Sequence, residues 1–269
     1  MLHHGTSLPW AVRAVQLDLA RQMETVDFIC RYADFAAAQE YNTLVLYLEA
    51  RIRTATFPYR ALDETYSLAE MATIVEHAHS VGVQVVPVIP SLGHAEQFFS
   101  CRELQHLAEE REGKPTRLGG TSCSTFCPSL DETYDFLSQY YRELAAVFTD
   151  PYFHIGCDEA WNFGYCTRCH AVCREQGMGP LFTRHLQRMH DLCQAVGKRV
   201  WLWDDMYEFF PEEVRQAPRD VVMCHWVYDE VVDLEGARSH FANRWRYNWL
   251  AEYERAGIEA IVCPWTRPP

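Results

Sequence analysis

The chain has 269 residues, 48% of them apolar, enough for one sizeable core and a usual length for a single α/β barrel. Its formal net charge of −13 argues against nucleic acid or an anionic membrane surface as partner, because both attract basic patches. No stretch approaches the roughly 20 apolar residues of a membrane span.

Apolar strand-like runs recur at residues 14–19, 43–49, 84–89, 152–156, 199–203, 221–226 and 260–263, and helical segments separate most of them. The first helical stretch with clear spacing places Leu68, Met71, Ile74, Val75 and Ala78 on one face. Ser129-Leu130-Asp131-Glu132 reads as a capping box opening a helix through Phe136, Leu137 and Leu144. Leu186, Met189 and Cys193 share a third helical face. One unit repeats three times: Val81-Gly82, Val196-Gly197 and Ala256-Gly257 each end a helical stretch and lead into an apolar run. Glycine just past a helix end takes the left-handed conformation cheaply. Short, continuous apolar runs suit strands buried on both faces of a parallel sheet. The alternation predicts an α/β fold, a (β/α)8 TIM barrel forming a single domain over residues 1–269. An eighth strand is absent, since the chain stops at Arg267-Pro268-Pro269, so a barrel truncated after strand seven is expected.

Polar and aromatic residues close the strands. Strand two ends in Glu49, strand three runs into Ser91-Leu92-Gly93-His94, and strand four ends His154-Ile155-Gly156-Cys157-Asp158-Glu159. Strand five ends Trp203-Asp204-Asp205, strand six His225-Trp226 and strand seven Pro264-Trp265. In a barrel these ends share one rim, where barrel enzymes build their sites. Carboxylates there hydrogen-bond sugar hydroxyls, and indoles pack on the apolar ring face. Asp158 and Glu159 repel each other, which pushes one toward its protonated form; a protonated acid beside an ionised one suits glycoside cleavage.

These motifs resemble glycoside hydrolase family 20, the β-N-acetylhexosaminidases. Its first-strand pattern Arg-x-x-x-Leu-Asp-x-x-Arg is met by Arg13 through Arg21, its Pro-Gly-His by Leu92-Gly93-His94, and its His-x-Gly-Gly-Asp-Glu by His154 through Glu159. The resemblance implies a glycoside hydrolase, a retaining exo-enzyme that removes terminal β-linked N-acetylhexosamine by substrate-assisted catalysis. It implies Glu159 as general acid and base, and Asp158 as the group that orients the acetamido N–H. It further implies Arg13 on the 3- and 4-hydroxyls, His94 and Glu49 as supports of the pocket, and Trp203 and Trp226 as walls of the acetamido site. Trp265 joins them as a pocket residue. The sequence departs from the family at Cys157, where the second glycine of the acid motif would stand, and at Thr266, where many members place a tyrosine. A non-catalytic carbohydrate-binding barrel is the alternative reading, and a metal-dependent hydrolase ranks last because no His-x-His or His-x-x-x-His ends a strand.

No cofactor or catalytic metal is expected, and the partner is a small-molecule or oligosaccharide substrate. Cys166-x-x-Cys169-x-x-x-Cys173, with His170, resembles half of a zinc site that Cys123 and Cys127 could complete; simple reduced cysteines are the default. The 11 cysteines and the lack of a signal-like segment at Met1-Leu2-His3-His4-Gly5 lead to an expected cytoplasmic location. Asp18 is expected to tie down Arg13 or the barrel bottom, His154 to be structural, and Glu109-Glu110-Arg111-Glu112 to form a solvated helix end.

Overall fold

The computed structural model describes residues 10–110, 123–226, 228 and 248–265. Seven strands make one sheet: β1 (Ala14–Asp18), β2 (Thr43–Tyr47), β3 (Gln84–Val88), β4 (Tyr152–His154), β5 (Arg199–Trp203), β6 (Val222–His225) and β7 (Glu259–Val262). They lie side by side in chain order, and every pairing is parallel. This is the order of a (β/α)8 barrel through its seventh strand. The predicted strands fall on the observed ones, with no end shifted by more than two residues. The expectations placed on Met1 to Gly5, Arg111, Glu112 and Thr266 to Pro269 concern residues outside the described ones.

Helices α1 (Val26–Ala38), α2 (Leu68–Ser80), α3 (Asp131–Ala145), α4 (Thr167–Gln176), α5 (Met178–Ala195) and α6 (Trp249–Ala256) occupy the connections. Local sequence explains their starts. Thr25 accepts from the Phe28 N–H, and Ser67 with Glu70 closes a reciprocal capping box. The box expected at Ser129 does not form: α3 starts without a side-chain cap, and the Ser129 hydroxyl meets the Cys169 thiol instead. Gly82, Gly197 and Gly257 all have φ between 68° and 80° with open space around them. Backbone conformation, not crowding, therefore selects glycine there.

The period-two alternation of the strands produces two separate cores. Leu44, Leu46, Val85, Phe153, Val200, Leu202 and Met223 point outward and pack with the helices. Val45, Tyr47, Val86, Val88, Trp201, Trp203, Val222 and Cys224 point inward and fill the barrel. The inner core ends upward in Tyr47 and Trp203, so the rim stands on packed aromatic rings. The connections after β2 and β3 hold more structure than plain loops. Ile52–Arg53 pairs with Tyr66–Ser67, and Glu96–Phe99 forms one helical turn. No helix among the described residues is long and apolar enough to cross a membrane.

Candidate active site

The acid pair sits where β4 stops. After His154 the chain turns sharply, with Gly156, Cys157 and Glu159 all at positive φ (67°, 77° and 45°). Glu49 and His94 share this property at 46° and 54°. Among the described residues, four of the five non-glycine residues with positive φ thus lie in the strand-end segments of this rim; the fifth, Glu40, precedes β2. Such conformations cost about 1–2 kcal/mol each for a residue with a side chain. Cys157, standing where the family pattern has glycine, is among them, and its thiol is buried beside the Ser91 hydroxyl at 3.4 Å.

His94 joins the two acids. Its Nε2 lies 3.0 Å from Glu159 Oε2 and 3.3 Å from Asp158 Oδ2. Burial alone would push its pKa down, but the charge of Asp158 and hydrogen bonds to both acids carry it up to about 11. The ring is therefore an imidazolium that bridges the two acid side chains. Asp158 is buried, and its second oxygen, Oδ1, has no hydrogen-bond partner among the described residues. Glu159 is more open, and its backbone N–H donates to Asp205 Oδ2 at 2.9 Å. Asp205 is fully enclosed; burial first, then the charge of Asp158, pushes it well above the usual carboxylate range. It also accepts from the Trp226 indole at 3.4 Å.

The structure corrects the position of the arginine. Arg13 precedes β1, at the opposite end of the barrel from the acids. Its guanidinium donates to the Glu40 and Trp10 carbonyls, and its main chain pairs with Asn42. Arg21, three residues past the end of β1, is the one at the rim. It forms an ion pair with Glu49 at 2.8 Å and lies 4.9 Å from the centroid of the Tyr47 ring. Burial pushes the Glu49 carboxyl up to about 7, against the pull of Arg21 and His94. Asp18 likewise belongs to this end: it accepts from the backbone of Ala20 and Arg21 and shapes the turn that delivers Arg21. Strand direction was the signal for this, since a barrel site gathers residues that follow strands, not residues that precede them.

Trp203 is buried against His154, with ring centroids 4.4 Å apart. His154 receives the Gly156 N–H on Nδ1, and burial pushes its pKa down to about 3, so it is a neutral structural residue. Asp204 turns away from the acids toward His225 and Tyr253, both at 2.6 Å. Trp226 and Trp265 flank Tyr228, whose ring lies 5.3 Å from each. Tyr228 did not stand out in the sequence. Burial raises its pKa first, and the charges of Asp158 and Glu159 contribute as well, which puts it in the field of the acid pair. The expected solvated run is corrected too, since Glu109 and Glu110 are both buried. Cys166 and Cys169 approach Cys127 and Glu109, and Cys173 lies outside this group.

Residues 10–240 match the family described as glycosyl hydrolase family 20, catalytic domain. The chain belongs to glycosyl hydrolase family 20. Among curated relatives, a β-hexosaminidase subunit beta from Felis catus is 25% identical over 89% of this chain, and that of Homo sapiens 24% over 78%. The chain spans 48% and 39% of those two proteins. Two solved structures with the same fold are an exo-β-N-acetylglucosaminidase from Vibrio harveyi in complex with N-acetylglucosamine and a chitobiase from Flavobacterium johnsoniae. Their TM-scores are both 0.75, at 21% and 19% identity. They cover 96% and 95% of this chain, and the chain covers 42% and 38% of theirs. The family 20 match therefore contains the acid pair, His94, Arg21 and the Trp226 indole in one continuous span.

Proposed function

We propose that this chain carries the catalytic barrel of a retaining exo-β-N-acetylhexosaminidase that uses the acetamido group of its own substrate as nucleophile. The observation that carries this reading is Oδ1 of Asp158, without a partner among the described residues and buried beside a partly exposed Glu159 and a cationic His94. A buried acceptor left without a donor costs about 1–3 kcal/mol. An acetamido N–H is a donor of the right kind, and it brings the carbonyl oxygen of the same group to the anomeric carbon.

In the first step that oxygen bonds to C1 while the bond from C1 to the glycosidic oxygen breaks. Glu159 gives its proton to the departing oxygen. The oxazolinium so formed is positively charged, and Asp158 stabilises it in place. In the second step water attacks C1, Glu159 takes a proton from that water, and the acetamido group is restored. His94 holds both acid side chains in register throughout. Arg21, paired with Glu49, faces the sugar hydroxyls, and Trp203, Trp226, Trp265 and Tyr228 wall the ring. The free thiols of all 11 cysteines support a reducing, cytoplasmic setting.

The test is hydrolysis of paired chromogenic glycosides by the full chain, one with a 2-acetamido group and one with a 2-hydroxyl. Turnover of the acetamido substrate alone is the expected result. Equal turnover of both would remove neighbouring-group participation, and binding without turnover of either would leave a carbohydrate-binding barrel.

A further inference from the structure

A second cluster of reactive side chains lies behind the acid loop, apart from the sugar site. Cys127 Sγ is 3.5 Å from Cys166 Sγ and 3.6 Å from Cys169 Sγ. A carboxylate oxygen of Glu109 completes the group, whose four ligand atoms all lie within 4.8 Å of one another. Glu109, Cys127 and Cys169 are buried, and Cys166 is half-buried.

Backbone geometry delivers each of these atoms. Ala108 and Phe126 form an antiparallel bridge, and the Glu109 N–H donates to the Thr125 carbonyl at 2.8 Å, so Glu109 and Cys127 flank one short ladder. Cys166 is the N-cap of α4, and the Cys169 N–H donates to its sulfur at 3.4 Å. The cysteine pair thus opens a helix with both sulfurs on one side. The Glu109 carboxylate accepts from the backbone of Gly164 and Cys166 at 3.1 and 2.8 Å.

Three comparisons of magnitude identify the chemistry. Sulfur separations of 3.5 and 3.6 Å are far beyond the roughly 2.05 Å of a disulfide. They approach the roughly 3.8 Å edge of a tetrahedron whose Zn–S bonds are about 2.3 Å. Glu109 is 3% exposed, and none of the ion pairs among the described residues involves it. A buried acid beside three thiols lacks a cation, and three sulfurs with one carboxylate oxygen make a donor set suited to zinc.

We propose that Cys127, Cys166, Cys169 and Glu109 bind a structural zinc ion that fastens the segment behind the acid pair to the loop following β3. Binding displaces the thiol protons to solvent, so each sulfur enters as a thiolate. Backbone N–H groups of Gly164, Cys166 and Cys169 then offset the surplus negative charge. Cys166 follows Glu159 by seven residues, so the ion anchors the far end of the acid loop. This inference does not depend on the glycosidase reading, because it is tested by metal content and not by turnover.

The experiment is elemental analysis of the full chain purified under reducing, chelator-free conditions. The expected result is about one zinc per chain, falling to near zero in Cys166→Ser and Cys169→Ser and unchanged in Cys173→Ser. Cobalt added to the metal-stripped wild-type chain should give thiolate-to-metal charge transfer and tetrahedral d–d bands, a readout that does not depend on the variants folding. Absence of bound zinc and of the cobalt bands would overturn the proposal. So would a mass decrease corresponding to a Cys127 disulfide, or zinc retained after both cysteine substitutions are combined.

Discussion

The backbone of Gly93 presses against the carbonyl of Asp158, so closely that a Cβ added at Gly93 would lie 1.9 Å from that oxygen. The same added atom would sit 2.9 Å from the Ala160 nitrogen, so there is no flexible side chain to give way. Gly93→Ala must therefore displace the acid loop or the loop that bears His94. The expected cost is about 3 kcal/mol of stability, at the upper end for overpacking. Activity should fall more steeply than stability alone explains. Denaturant unfolding and kcat measured on the same preparation check both; an unshifted midpoint would show that the contact is looser than described.

Arg21 and Arg13 make opposite predictions. Arg21→Ala removes a charge-assisted contact at the rim and strands the buried Glu49, so kcat/KM should fall about 10–100-fold. Arg13→Ala removes exposed bonds to carbonyls at the other end of the barrel and should change kcat/KM by no more than about threefold. A reversed order of effects would mean that Arg13, not Arg21, touches substrate.

His94 should remain protonated well above the ordinary histidine range. Its folded pKa is raised from 6.5 to about 11, so the stability it contributes is complete below pH 6.5 and is lost as pH climbs through about 11. Asp158→Asn removes the charge that most strongly favours the imidazolium. The prediction is a downward shift of the His94 midpoint, followed by nitrogen NMR of the imidazole through a pH titration. Identical midpoints in the two proteins would assign the stabilising charge elsewhere.

The two acids should respond differently to isosteric amides. Glu159→Gln deletes a proton donor and should lower kcat by about 10²–10⁴ with an unchanged melting temperature. Asp158→Asn keeps a polar group against the acetamido site but loses its charge, and should lower kcat by about 10²–10³. Unimpaired turnover in the Glu159 variant would move the acid role to another residue.

Most of the architecture was legible because it rests on repeating local signals. Three Val-Gly or Ala-Gly steps and seven apolar runs gave the alternation of helix and strand, and Asp158, Glu159, Glu49 and His94 were found as strand-closing residues. Arg13 and Arg21 both belong to the first-strand motif, and only strand direction separates them, since Arg13 precedes β1 and Arg21 follows it. Tyr228 was missed because its place depends on Trp226 and Trp265, which are 39 positions apart in sequence. The burial of Glu109 and Glu110 was invisible for a similar reason. Two adjacent acids look solvated unless the residues around them are known, and those that meet Glu109 stand at positions 125 to 127 and 164 to 169.

The left-handed backbone at Glu49, His94, Cys157 and Glu159 has a consequence for anyone who would transplant this chemistry. Installing the same four side chains on a relaxed barrel would aim them elsewhere, since each direction is set by main-chain twist and not by choice of rotamer. A graft would have to import whole strand-to-loop junctions, together with the Gly93 notch that lets two of them nest.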